Sequence, residues 1–485
     1  PVEILNAQRL SYEERDGQKV RRLEGNVQLR QDSALYWCDL ALQFPDEKRI
    51  EARGQVRALF PDSVSLRADR MDYSSETRVA HLGGNIVMHD EPNTLWTDSL
   101  VYYRDEGRGY YPDGGQLFDG DRLLLSQKGN YYTGGDLAVF WEDVWLADAD
   151  FVLKTDSIRY KTELDRAELV APTWIETPDC EQLYTEGGWY NTENRRALLH
   201  TNPWFEDSTY RAEADTLYYD DSTDAGWGRC FVHLTEKVQQ LELFGEYGTF
   251  DRKSNITELT IHPWALKMED GDSMLLLADT LWARNDTAAD ITQISAYPNA
   301  QVHQGDMRLV GDSIGYEGAD SSLRVYRDPI LWYPPYQLTG DTIRAWMADG
   351  KPDSFRVEGR AFATAPEVEE ADLYDQLKGR LFYGKMKNKE LEYLHVDGNG
   401  ESITYARNDD DAFTGMNKAF AREIHIVFEG SEPVRVTYLE QPEGTYFPAR
   451  QAVRERQKLE GFRWDPDRKP PRLINVLDPC NPWHA

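Results

Sequence analysis

The sequence predicts an all-β protein assembled as one stacked array of antiparallel strands, and three observations carry that expectation. A six-residue motif recurs along most of the chain, the apolar residues between motifs alternate with period two, and the apolar parity slips by one residue at each motif. A fixed period describes units that stack on their neighbours instead of folding as separate domains. The length of 485 residues would suggest about three domains by itself; here it mostly counts repeats.

The strands come first. Leu23, Gly25, Val27 and Leu29 share one parity, as do Ile50, Ala52, Gly54, Val56 and Ala58, and again Ala80, Leu82, Gly84, Ile86 and Met88. Polar residues fill most of the other parity, which is the signature of a strand with one buried face.

The motif between strands places a small residue or Thr before Asp, then a hydroxyl or Arg, then an aliphatic, and usually closes on Tyr or Ala. Its copies carry Asp69, Asp98, Asp156, Asp215, Asp279, Asp312 and Asp341. Tyr73, Tyr102, Tyr131, Tyr160, Tyr190 and Tyr219 mark a period of about 29 residues, and later equivalents drift through Ala283, Tyr316 and Ala345. Leu66 and Ala68 take one parity but Met71 and Tyr73 take the other, so a bulge or corner is expected at the small-Asp step. The seven Asp residues are therefore expected to be structural, accepting hydrogen bonds from backbone N–H groups freed by the bend. Calcium-binding solenoids also repeat Asp, but they need glycine-rich ligand loops that these motifs lack, so no metal is expected.

Four segments follow from these patterns. Residues 1–170 carry the regular repeats, and residues 171–360 continue them with Pro and an aromatic in place of Gly-x-Val, as at Pro203-Trp204 and Pro263-Trp264. Proline fits strand openings and edges, with the ring packed beside it. Residues 361–440 read as variant short strands after the spacing breaks. Residues 441–485 are expected to form a short helix, from Pro448 to Gly461, and a Pro-rich cap protecting an open edge.

Chemistry is sparse. The chain shows no nucleophile elbow, phosphate loop, HExxH or dinucleotide fingerprint, and the nine His fall singly. With 85 acidic residues, a pair of carboxylates at glycosidase separation is expected by chance and decides nothing. No enzyme activity and no cofactor are expected. The formal charge of −31 argues against nucleic acid, which demands a basic stripe. Cys38, Cys180, Cys230 and Cys480 form no CxxC pair; a long-range disulfide between Cys180 and Cys480 and isolated thiols both remain open, and isolated thiols are the expectation. The chain opens at Pro1-Val2 without an initiator Met, a start that fits a mature form or a trimmed one.

At this point a family enters. The elements LEGNVQLR, EARGQV and HLGGNIVM, followed by ADRMDY and TDSLVY, resemble the OstA-like proteins, the LptA family of lipopolysaccharide transport. The tail from Tyr374 to Phe428 and the later GFRW are similar to the long OstA-like proteins of Bacteroidetes-type bacteria. The resemblance implies an elongated slit β-jellyroll, whose two facing sheets hold lipid A acyl chains in a groove. It implies a periplasmic bridge with its signal peptide removed, joined by edge-strand pairing to an LptC-like inner-membrane component and an LptD-like outer-membrane translocon, with end-to-end self-association also in view. Residues at the family's inward-facing positions are Leu23, Val27, Leu29, Ile50, Val56, Met71, Leu82, Ile86, Met88, Leu100, Ile158, Leu217, Leu281, Ile314 and Ile343. The same residue types build a trough or a closed core, and the width of the space between the sheets decides which. A polysaccharide-binding or polysaccharide-degrading β-solenoid and a structural envelope spacer are the alternatives.

Overall fold

The computed structural model describes residues 2–471 except 16, 61–63, 134–136, 162–163, 179, 238–239, 270–271, 287–290, 349–350, 369–371, 388–389, 409–411, 431 and 456. Antiparallel strands dominate, with one α-helix, Ala449–Glu455, among the described residues. No described helix is long and apolar enough to cross a membrane. Cys38 is buried and Cys180 and Cys230 are exposed, all three as free thiols, while Cys480 lies outside the described residues. The chain divides into two compact units, Pro1–Gly228 and Arg229–Ala485.

In the first unit, β1 (Val2–Asn6) and β2 (Arg9–Arg15) pair with opposite halves of β3 (Gln18–Gln31). A meander follows through β4 (Ala34–Phe44), β5 (Arg49–Leu59), β6 (Ser65–Ser74), β7 (Val79–Asp90) and β8 (Asn93–Tyr103). Each neighbouring pair of long strands loses register once, near its middle. The β3/β4 ladder skips Gly25 and Asn26 opposite Asp39, β5/β6 skips Gly54 and Gln55 opposite Asp69, and β7/β8 skips Gly84 and Asn85 opposite Asp98. Both skipped residues are left-handed each time, as at Gly84 and Asn85 with φ of +79° and +48°. Two residues against one make a bulge that bends both strands.

The corner thus sits where the motif repeats, but its left-handed backbone belongs to the Gly-x step of the facing strand. Glycine is needed because its neighbour is the Asp side chain: a Cβ on Gly84 would lie 2.5 Å from Asp69 Oδ2. Asn85 Nδ2 donates to Asp69 Oδ2 at 2.8 Å, and the Asn85 N–H donates to Asp98 Oδ1 at 3.3 Å. Later copies vary the residues and keep the device. Asp156 faces left-handed Glu142 and Asp143; Asp341 accepts from Arg360 Nε at 2.9 Å beside left-handed Gly359. Asn299 Nδ2 donates to Asp279 at 2.9 Å, and Arg327 pairs with Asp312 at 3.3 Å. Asp312 is half-buried; the other six motif Asp residues, Asp215 included, are exposed.

The bends split the sheet into two ladders. Beyond β8 the halves run as separate strands, Gly115–Asp119 and Arg122–Ser126 in one ladder and Arg108–Tyr111 and Lys128–Tyr132 in the other; Ala138–Ala147 and Val152–Lys161 then serve both. Along one ladder the sequence period becomes a row in register. Tyr73 stands opposite Ala80, Ala80 opposite Tyr102, Tyr102 opposite Gly109 and Gly109 opposite Tyr131. The row continues through Ala138, Tyr160, Ala167, Tyr190 and Ala197 to Tyr219. Rings alternating with methyls or hydrogens interdigitate at close packing. The space left among Val56, Phe60, Met71, Tyr73 and Leu82 is a cavity of about 10 Å³, no more than a single water requires.

In the second unit, Leu241–Asp251 again feeds two ladders, pairing with Trp264–Glu269 through one half and Ile256–Thr260 through the other. The ladders reunite in four long strands, Lys351–Val368, Leu373–Lys387, Glu390–Arg407 and Phe413–Glu429. Glu432–Leu439 and Glu443–Pro448 pair with one half each of the last, and most of their residues are exposed. The helix expected over Pro448–Gly461 is shorter, Ala449–Glu455, and irregular chain follows it. That chain crosses the outer face of the long strands. The Leu459 N–H donates to Gln376 Oε1 at 2.8 Å, the Arg463 carbonyl accepts from Gln337 Nε2 and Thr364 Oγ1, and the Asp465 N–H donates to Gln337 Oε1. Leu459 and Ala452 pack with Phe362, Leu373, Ile403 and Met416.

The corner geometry makes a prediction. Gly84→Ala must hold a Cβ at positive φ against Asp69 and is expected to lower unfolding stability by about 1–2 kcal/mol, whereas exposed Asp69→Ala is expected to cost less than about 1 kcal/mol. Urea unfolding of the two variants checks the order.

Candidate functional site

The two ladders of the second unit enclose a cavity of about 530 Å³, within the range of ligand pockets. One wall carries Ala345, Phe355, Gly384, Leu394, Ile426 and Val436, standing opposite one another across six successive strands. At about 4.8 Å per strand this row runs roughly 24 Å. The other wall carries Leu338, Ala363, Leu377 and Ser402, likewise in register. Met274, Met347, Met386, Leu391 and Ile424 complete an apolar lining. Val436 lines the cavity and is 40% exposed, so the space opens at the Glu432–Leu439 strand.

The hollow has a cause in the same row that fills the first unit. In the second unit the row runs Ala283, Ile294, Tyr316, Leu323, Ala345, Phe355. Alanine now stands at position 345, where the period would place a tyrosine, and Ala363, Ala365, Ser402 and Thr404 face it as small residues lining the space. The Phe355 ring fits over Gly384, where a Cβ would lie 2.1 Å from Cε1. Removing large rings from facing walls leaves volume that no neighbour fills.

Polar groups in the lining are few. The Ser402 hydroxyl and the Tyr438 hydroxyl meet at 2.8 Å and tie the two walls together. Asp375 lies on the Leu377 wall and accepts the Tyr405 N–H at 2.8 Å. Burial, reinforced by Glu367, pushes its carboxyl up to about 6 against the partial relief of that hydrogen bond. The wall is covered from behind by the chain at 457–465, whose backbone satisfies Gln337, Thr364 and Gln376 on the outer parity.

All fifteen inward-facing residues expected from the sequence are buried. Leu23, Val27, Leu29, Ile50, Val56, Met71, Leu82, Ile86, Met88, Leu100, Ile158 and Leu217 lie in the first unit, where Val56, Met71 and Leu82 border only the small residual space. Leu281, Ile314 and Ile343 lie in the second, and of these Ile343 lines the large cavity. Other lining residues, Leu377, Met386, Leu391 and Leu394 among them, come from the strands beyond residue 361, whose broken spacing hid them, while Met274, Leu338 and Met347 come from earlier strands. The loss of the tyrosine at Ala345 was the available signal.

With the geometry in place, comparisons with known proteins locate the family. The model for the family described as OstA-like protein matches the N-terminal third of the chain. Residues 1–156 are the ones that match that model. The OstA-like segment contains β1 to β8 and ends within Val152–Lys161, so the large cavity lies wholly outside it. Among solved structures, LptH of Pseudomonas aeruginosa, described as the LptA-homologous periplasmic component of the conserved lipopolysaccharide transport device, aligns over 24% of this chain and 82% of its own. Its identity to this chain is 18% and the TM-score 0.21. The extracellular domain of a one-component system from B. thetaiotaomicron aligns over 91% of this chain and 92% of its own, at 7% identity and a TM-score of 0.10. No curated protein matches the chain.

The buried carboxyl gives a pH signature. A folded-state value near 6, raised from 3.8, favours the protonated form, so its contribution to stability is complete below about pH 4 and is lost as pH rises through about 6. Asp375→Asn retains an acceptor for the Tyr405 N–H and removes the titration. Compared with this variant, the parent chain is expected to lose about 2–3 kcal/mol between those limits, at about 1.4 kcal/mol per pKa unit. Denaturant unfolding of both proteins across the window measures the difference.

Proposed function

We propose that the protein is a periplasmic lipopolysaccharide-binding transport bridge that shields acyl chains from water as they pass between the inner-membrane and outer-membrane machinery. The observation that carries this reading is the apolar cavity between the ladders of the second unit, open at its last strand, in a chain whose first third is OstA-like. An acyl chain has no hydrogen-bonding demand, and each methylene moved from water into such a lining gains about 0.8 kcal/mol. Among the described residues the lining is mostly apolar, with Asp306 and Asp375 among its few ionisable groups, and such a surface supports binding of an apolar chain. The excess acidic charge belongs to the outward parity, where it leaves the trough apolar.

Edge strands support the partner assignments. Leu5 is 42% and Tyr12 73% exposed on β1 and β2, and Val434 is 53% exposed on Glu432–Leu439. Edge strands with apolar side chains are templates for adding a further strand. LptC-like and LptD-like components, or a second copy, are the partners proposed for these edges.

A spacer reading is favoured for the first unit by one observation, its filled interior. Acyl-chain entry there requires the two ladders to part. The two readings separate by position. Photo-crosslinking side chains at Met386, Leu391 and Val436 are expected to capture lipopolysaccharide, while Met71 and Leu100 are expected to capture only protein. Failure at all three cavity positions would sink the transport reading, and capture at Met71 would show that the first unit opens.

A further inference from the structure

The outer face of the cavity wall carries a cluster that neither the lipid reading nor the family match uses. His395 and His425 stand directly opposite each other on Glu390–Arg407 and Phe413–Glu429. Their neighbours Leu394, Val396, Ile424 and Ile426 point inward, so both imidazoles point out, immediately behind the wall. His395 Nδ1 lies 2.7 Å from His425 Nε2. Glu423, two residues before His425 on the same face, places Oε2 3.5 Å from His425 Nε2. Donor atoms of the three side chains all lie within 4.8 Å of one another.

We propose that His395, His425 and Glu423 form a binding site for a borderline divalent transition metal of the zinc class. Two imidazoles and one carboxylate are a donor set suited to such ions, and three protein ligands leave a fourth position open. A tetrahedral site with bonds of about 2.05 Å separates its ligand atoms by about 3.3 Å. The imidazole nitrogens need to part by only a fraction of an ångström, and the carboxylate is already near that distance from His425.

The surroundings favour a cation at this point. Asp397 stands opposite Glu423, and like charges facing across a ladder repel. Arg380 neutralises Asp397 at 2.5 Å, whereas Glu423 has no Lys or Arg ion pair among the described residues. The Tyr393 hydroxyl lies 3.4 Å from His395 Nδ1, and its ring packs edge-on against His425, walling one side. His425 and Glu423 keep about a third of their side-chain surface exposed, at 31% and 30%, so an ion reaches them from solvent. The bound ion would clip the last two long strands together behind the cavity.

Zinc binding to the metal-free full chain near neutral pH, followed by equilibrium dialysis and elemental analysis, tests the proposal independently of any lipid. The expected result is one zinc per chain, with affinity falling roughly a hundredfold in His395→Ala and in His425→Ala and about tenfold in Glu423→Gln. His81→Ala, in the first unit, is expected to bind as the parent does. All three ligands face outward, so circular dichroism of the variants should match the parent. Absence of binding, or equal binding by the parent and the His395→Ala/His425→Ala double variant, overturns the site.

Discussion

The constraint on which the first unit depends is the in-register row in which tyrosines alternate with alanine or glycine. Each ring needs a small residue on the strand to either side, and each buried hydroxyl needs an acceptor. Tyr73 donates to Gln31, Tyr131 to Asp90 at 3.0 Å and Tyr160 to Asp119 at 3.0 Å; Tyr219 donates to Asp224 at 2.8 Å. For Tyr131 and Tyr160 the partner is the last residue of a strand 41 residues earlier in the chain. Burial, opposed by the Thr192 hydrogen bond and the Arg122 charge, pushes the Tyr160 phenol up to about 12, so the hydroxyl remains a donor over all physiological pH. A slip of one residue would turn every ring to solvent and orphan every acceptor, at about 1–3 kcal/mol for each buried polar group left unpaired. The row therefore sets the register of the stack, and the corners have to fit around it.

That row explains how much of the molecule could be read beforehand. The period, the alternating strands and the corner at each small-Asp step are local patterns, and each is written several times over, so they survive single exceptions. The left-handed Gly-Asn and Gly-Gln pairs were visible as letters but not as the seat of the bend, because parity alone cannot say which of two facing strands takes the extra residue. The burial of Leu23, Val27, Met71 or Leu100 followed from alternation. Whether burial meant a trough or a core did not, because that depends on what stands across the gap. Only pairing between distant strands sets Ala345 in one wall of the cavity and Ala363 and Ser402 in the other. The same holds for His395 and His425, separated by 30 residues yet adjacent in register.

The two interiors differ through substitution within one scheme. Both units bend their strands into two ladders and bury one parity between them. In the first unit large rings occupy alternate steps of the row, and the space left among Val56, Met71, Tyr73 and Leu82 is only about 10 Å³. In the second, methyls and hydroxyls replace them at the facing steps, and about 530 Å³ stays open. The ion pairs on the outer parity, such as Arg360 with Asp341 or Arg380 with Asp397, are exposed and add little stability individually.

The covering chain at 457–465 bears on the order in which the molecule is completed. Gln337, Thr364 and Gln376 are almost wholly buried, and their amide and hydroxyl groups are matched by backbone atoms of residues translated about 80 to 130 positions later. Until residues 457–465 have been synthesised and have docked, the long strands behind them present a wet polar stripe. The cavity wall is thus finished by residues 457–465, so a ribosome that stops before them leaves a product whose own surface reports that it is incomplete.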